Sequence, residues 1–340
     1  MRNRASRAFT LVELLVAAGI TVLIAGLGLA VTSRLATAWS RAVGDHEARA
    51  TARVAIEEIT HDLQSALYRD DGAVWFRATV SDDTSYSGLW EEALTQKPAG
   101  TTGGSLRLNA AELTDCRFGR AGVVLAFFTQ ARSETDNSTA PTAVGYQIIR
   151  RQTGIGRSAA GAKYVLCRSV VRPAQVEARL GALEAGFDLD PTDTANAYIH
   201  SGAANDGTAA GDPYSIRHPA ALATVLAENV IDLGVRLHGF GDTGELEEIF
   251  PASGREMEYL ARAPSADGTE AGADMPCVAD VMLRVLTGEG TRMVAAIEAP
   301  LGSSMVRPAE YRTDAEWWWG VVEANSRVYV RRIMLSASSP

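Results

Sequence analysis

At 340 residues, with 46% hydrophobic and 21% charged positions, the chain has the composition of a folded protein that carries one membrane segment. Its formal charge of −9, with Lys97 and Lys163 as the only lysines and the arginines scattered, excludes a nucleic-acid binder, because phosphate neutralisation needs clustered cations. Cys116, Cys167 and Cys277 lie far apart in no C-x-x-C or zinc spacing, which leaves two readings: one disulfide with a thiol left over, or small buried apolar residues, as the strand parity of Cys167 with Val165 and Val171 suggests.

Arg2, Arg4 and Arg7 open the chain without an acid, and then the character changes. From Leu14 to Val31 there is no ionisable side chain and no proline, so a helix rising about 1.5 Å per residue approaches the ~30 Å hydrocarbon core of a bilayer. The positive-inside rule keeps the basic leader cytoplasmic and sends everything after about Thr32 across the membrane. Glu13 stands at the lip of this run, where a lone buried carboxylate is expensive and calls for a partner. A conventional secretory signal is the competing reading, since Ala36-Thr37-Ala38 offers an A-x-A site, but the run exceeds the roughly 7 to 15 residues of a signal core.

Beyond the run the pattern stays helical. Ala52, Ile56, Ile59, Leu63 and Leu67 recur at spacings of three and four, with Arg49, Arg53, Glu57, Glu58, His61 and Asp62 on the other faces, until Asp70-Asp71-Gly72 ends the helix. Residues 9 to 69 therefore read as one helix whose second half presents a stripe that something must cover. After Gly72 the period becomes two. Val230 to His238 puts Ile231, Leu233, Val235 and Leu237 on one face and Asp232, Arg236 and His238 on the other. Further strands are expected at Val123 to Thr129, Val144 to Arg151, Tyr164 to Val171, Val278 to Leu286 and Arg327 to Leu335. Gly154 to Gly161 reads as a hairpin connection, Gly239 to Gly244 as a turn, and Ser81 to Ser105 and Asp188 to Asp212 as loops. An antiparallel sheet packed on the amphipathic half of the helix, an α+β arrangement, satisfies both patterns. Within residues 288–326, Thr313-Asp-Ala-Glu316 is a capping box opening a short helix with Trp317, Trp318 and Trp319, which read either as core or as a docking face.

The string Ala8-Phe9-Thr10-Leu11-Val12-Glu13 resembles the processing site of type IV prepilins and type II secretion pseudopilins. The resemblance implies a peptidase cut between Ala8 and Phe9, N-methylation of Phe9, and a mature chain in which Glu13, its fifth residue, pairs in the filament with a neighbour's α-amino group. Ala8 stands where the family usually carries glycine. Downstream, Arg49 to Leu67, Val123-Val-Leu-Ala-Phe-Phe128, Val144-Gly-Tyr-Gln-Ile148, Leu166-Cys-Arg168, Glu228 to Leu237 and Asp280 to Val285 look like the J-type minor pseudopilin, while residues 288–326 have no counterpart. What this implies is a pilin-like fold with residues 1–8 as a cleaved leader, 9–32 as the membrane half of the helix, 33–70 as its amphipathic half and 71–340 as a periplasmic β-rich domain. The implied role is that of a non-enzymatic subunit at the tip of a secretion pseudopilus in the inner membrane. Its partners would be other pseudopilins, the prepilin peptidase, the assembly platform and membrane lipid, with a type IV pilus as the alternative setting.

A membrane-anchored envelope enzyme is the reading from a different class. Against it, no G-x-S-x-G, H-E-x-x-H or G-x-x-x-x-G-K string occurs, and Gly154-Ile-Gly156 stands between two strands rather than before a helix. The five histidines are scattered, with His61 and His238 on expected solvent faces. Asp188, Asp190 and Asp193, with Asp206 and Asp212, could gather a hard cation, and some pseudopilins hold calcium in a loop. The Asp-x-Asp-x-Asp-Gly spacing is lacking, so a solvated acidic loop without a cofactor is expected, with calcium as the alternative.

Overall fold

The computed structural model describes residues 10–69, 71–80, 123–130, 141–152, 162–171, 188–190, 225–241, 243–250, 258–262, 273–298, 306–312 and 314–335. It comprises two compact units, residues 1–46 and 47–340. One helix, α1, runs from Leu11 to Gln64.

In the first unit α1 is the whole described structure. Leu11–Ala36, mean hydropathy 2.5 and with none of its most apolar 18-residue window buried, is long and apolar enough to cross a membrane. At about 1.5 Å per residue its 26 residues exceed the ~30 Å hydrocarbon thickness. The hydroxyls within or beside this run turn inward. Thr21 Oγ1 donates to Ala17 C=O and Thr32 Oγ1 to Gly28 C=O, both at 2.8 Å, so neither seeks water.

In the second unit the expected stripe is buried at Ala52, Ile56, Ile59 and Leu63, joined by Ala48 and Ala55, while Leu67, its expected last member, is half-buried beyond the helix end. Their cover comes from alternate residues of four strands, β1 (Phe76–Val80), β2 (Val123–Gln130), β3 (Pro141–Gln152) and β4 (Ala162–Val171). Phe76, Leu125, Phe127, Val144, Tyr146 and Leu166 share that core, while Trp75, Ala126, Phe128, Ala143 and Val171 form a second cluster. With β5 (Val225–Glu228) and β8 (Glu258–Ala261), these strands make an antiparallel sheet in the order β5-β4-β3-β2-β1-β8.

A second antiparallel sheet, absent from the sequence-based expectation of one, has the order β10-β9-β6-β7. Its strands are β6 (Val230–Phe240), β7 (Leu246–Phe250), β9 (Val278–Leu286) and β10 (Ser326–Met334). Asn229 alone separates β5 from β6, so the chain changes sheet in one residue. Its φ of 61° lies in the left-handed region that asparagine tolerates, its carbonyl accepts the Leu286 N–H and its Oδ1 accepts the Thr291 hydroxyl. Helix α2 (Gly288–Glu298) starts behind Thr287, whose Oγ1 accepts the Gly290 N–H, and Gly290 is required because a Cβ there would lie 2.5 Å from the Asn325 carbonyl. Helix α3 spans Asp314–Ala324.

Several expectations need correction. The helix stops at Gln64, not residue 69, because β2 takes over its last carbonyls. Thr129 Oγ1 donates to Asp62 C=O and Ser65 C=O, Gln130 N–H donates to Ser65 C=O, and Leu67 N–H has left the helix for Phe128 C=O. Asp62 and Asp232, expected on solvent faces, are buried, and His238 is mostly buried. Of the two readings of the tryptophans of α3, the core one holds: all three are buried, Trp318 lying 6.1 Å from the Tyr164 ring and 5.9 Å from Trp319. Strands β1, β5, β7 and β8 and helix α2 were not foreseen. The six strands expected from periodicity are present within three residues at each end. The Gly154 to Gly161 connection, Cys116, most of both expected loops and the Thr313 and Glu316 capping box lie outside the described residues or side chains.

Candidate functional site

The described helix begins with a reciprocal cap. Thr10 N–H and Thr10 Oγ1 both meet Glu13 Oε2 at 3.0 Å, and Glu13 N–H donates to Thr10 Oγ1 at 3.3 Å. This is a capping box, with the acid at the third helical position closing orphan donors of the first turn and facing the positive end of the helix dipole. Sequence reading gave Glu13 a partner on another chain; its first partner is Thr10, three residues away, and the T-x-x-E spacing was the signal for it. The cap uses Oε2, and a carboxylate offers acceptor sites on both oxygens. Ala8 and Phe9 lie outside the described residues.

The second constellation fastens the helix to the first sheet. Asp62 projects from α1 beside Ile59 and Leu63, and the alternation of β3 and β4 carries Tyr146 and Arg168 to the same place, for these two residues are register partners. Arg168 donates from Nε to Asp62 Oδ2 at 2.8 Å and from Nη2 to Oδ1 at 3.1 Å, a two-pronged match of guanidinium to carboxylate. Tyr146 donates its hydroxyl to Asp62 Oδ2 at 2.6 Å and accepts from Arg168 Nε at 3.2 Å, while Glu58 adds a carboxylate 3.4 Å from the same Nε. Burial, then the Asp62 charge, push the Tyr146 hydroxyl well above its usual range, so it stays a donor. For Arg168 burial opposes the charge, but the bonds to Asp62 and Tyr146 outweigh it and raise the guanidinium further. The cluster is a lock between helix and sheet.

The acidic segment serves structure where it is described. Asp188 Oδ1 accepts the Val74 N–H at 2.8 Å and the Asp190 N–H at 2.9 Å, and Asp190 Oδ2 meets Arg262 Nη1 at 3.0 Å. Asp193 lies outside the described residues, and among the described residues no group of three or more His, Cys, Asp or Glu side chains could hold a metal ion.

On the second sheet His238 Nε2 lies 3.1 Å from Asp280 Oδ2, and Arg332 grips the same carboxylate twice at 2.7 Å. Hydrogen bonds from Arg332, then His238, hold the Asp280 carboxyl below its ordinary range against some burial. Cys277 Sγ donates to the His238 carbonyl at 3.2 Å, and burial pushes this thiol up, away from the thiolate that a nucleophile needs. Further along, Asp232 is 1% exposed and faces Arg284 across the strand pair, yet among the described residues neither carboxylate oxygen nor Arg284 Nε has a side-chain hydrogen-bond partner. Burial pushes Asp232 well above the carboxylate range, only partly opposed by Arg284 and by the Leu233 N–H. Arg284 itself stacks over the Trp319 ring at 5.1 Å and donates to Ser326 Oγ.

Comparison with models of protein families, with curated proteins and with solved structures gives no match.

Proposed function

We propose that this chain is a minor pseudopilin, a structural subunit that joins the tip of a type II secretion pseudopilus through its N-terminal helix. The observation that carries the reading is the string Ala8-Phe9-Thr10-Leu11-Val12-Glu13 placed directly before an apolar helix, Leu11–Ala36, that can cross a membrane. A helix that emerges from the bilayer and turns amphipathic, with its stripe covered by antiparallel strands, is what such a subunit needs: one half packs among neighbouring helices and the other carries a folded domain. Prepilin peptidase, the other pseudopilins and the inner-membrane assembly platform are the partners this role requires.

In this role Glu13 has two duties. Its Oε2 closes the first turn through Thr10, and the carboxylate stands beside an α-amine that processing would expose one residue before Thr10. A cation in a low-dielectric helix bundle needs an anion nearby, and Glu13 supplies it within the chain or to a neighbour. Mass spectrometry of the N-terminal peptide from membranes is the test. A mature chain beginning with N-methylated Phe9 is expected. A mature chain beginning at Trp39, the product of signal-peptidase cleavage, overturns the proposal.

A further inference from the structure

The second sheet ends on two unlike edges. β10 lies at one side and β7 at the other, and among the described residues no strand pairs with the outer side of either. Strand β10 is nine residues long and holds no proline, so its outer edge is neither shortened nor interrupted. Val328, Val330 and Met334 on it are 45, 51 and 61% exposed.

The backbone geometry of both edges follows from their flanking bonds. At one end of β10 the Leu335 N–H donates to Cys277 C=O, and at the other the Thr287 N–H donates to Asn325 C=O, so odd-numbered residues bond toward β9. Alternation then turns the N–H and C=O of Val328, Val330, Arg332 and Met334 to the open side. On β7 the Gly241 N–H donates to Glu245 C=O, which turns the backbone of Leu246 and Glu248 outward.

Charge separates the two edges. β10 carries Arg327, Arg331 and Arg332, while Glu247 and Glu248 lie on β7 with Glu245 just before it, and all six are exposed. Within the chain Arg332 already meets Asp280 and Glu248 meets Arg236, so Arg331 and Glu247 carry the contrast between the edges. Direction fits as well, because every neighbouring pair in the order β10-β9-β6-β7 is antiparallel, so β10 and β7 run oppositely and a copy shifted sideways without inversion presents its β7 antiparallel to β10. Parity completes the match. Leu246 and Glu248 share the face of His238 and Asp280, as do Val330, Arg332 and Met334, whereas Glu247 falls on the opposite face, the one that carries Arg331.

We propose that a second copy of this chain docks the acidic β7 edge of its second sheet on the arginine-bearing β10 edge, extending the sheet from one chain to the next. The pairing joins different surfaces of two copies, a head-to-tail contact that can continue beyond two chains. It is independent of the secretion role.

Sedimentation velocity of the full chain in detergent tests it. The wild type should self-associate with concentration, less so at high ionic strength. Val330→Pro removes an outward N–H and leaves the bonds to β9, so association should be lost while the thermal unfolding midpoint stays within a few degrees of wild type. Arg331→Glu should weaken association about tenfold, and adding Glu247→Arg should restore it. This charge exchange reads the contact even if the proline variant fails to fold. A chain that stays monomeric at every concentration overturns the proposal. So does self-association that Val330→Pro leaves intact in a folded chain, or that Arg331→Glu leaves unchanged, since the contact would then be made by the apolar span.

Discussion

Replacing Arg168 with methionine should be among the most damaging single changes outside the apolar core. The substitution keeps the unbranched stem against its neighbours but removes both prongs to Asp62 and the bond to Tyr146. Asp62, 4% exposed, is then left as a buried anion held by one phenol. Breaking a buried pair from one side costs about 3 to 5 kcal/mol, against the ~5 to 15 kcal/mol that holds a typical domain together. At roughly 2 °C per kcal/mol for a large domain, the unfolding midpoint should fall by about 6 to 10 °C. Tryptophan fluorescence in a urea titration reads this directly, since Trp75, Trp317, Trp318 and Trp319 are all buried. The companion variant is the triple change Asp62→Leu, Tyr146→Phe, Arg168→Met, which removes every polar member of the lock together and should recover most of the loss. A single variant that costs less than about 1 kcal/mol, or a triple variant no better than the single, refutes the claim that Asp62 depends on Arg168.

Leu63→Ala, at a fully buried position of the helix stripe, should cost about 2 to 5 kcal/mol in the same titration, and an unchanged midpoint would show that the sheet does not rest on the helix. Asp232→Asn should stabilise the chain at pH 8 and do so less and less toward pH 4. The folded pKa is raised, so the native state holds a proton that the unfolded chain releases above about pH 3.9, and the wild type loses stability as pH rises through that range. Loss of stability in Asp232→Asn at pH 8 would mean that the carboxylate is charged and paired.

Periodicity made much of this fold legible. The strand at Val278 to Leu286 was bounded to the residue, because alternating apolar positions between Cys277 and Thr287 leave one register. Strand β7 escaped because Leu-Glu-Glu-Ile-Phe has no two-residue alternation, and β5 because four residues are too few to show any period. Helix α2 was hidden by Gly288 and Gly290, poor helix formers, and only the Asn325 carbonyl shows why a side chain cannot stand at Gly290. The polar residues were least legible. Asp62 lies next to Leu63 on the flank of the stripe, and nothing local says whether such a flank faces water or a guanidinium brought from more than a hundred residues away. Asp232 followed the solvent parity of β6 correctly, since it shares a face with Arg236 and His238, but Arg284 and Trp319 close over that end of the face. Periodicity tells which residues share a face and not what covers it.

The helix shows what the polar positions add. An apolar stripe of alanine, isoleucine and leucine drives burial in proportion to area, and area alone lets a helix rotate or slide on a sheet at little cost. Directional bonds remove that freedom. Thr10 and Glu13 fix where α1 begins, Thr129 and Gln130 fix where it ends by capturing its final carbonyls, and Asp62, held in two-pronged fashion by Arg168, fixes which face of it meets the sheet. A slide of one turn would carry Asp62 about 5.4 Å from Arg168 and leave both charges buried apart, an arrangement costlier than any apolar mismatch along the stripe. The lock therefore contributes position more than stability, which is why removing it as a unit should cost so much less than removing half of it.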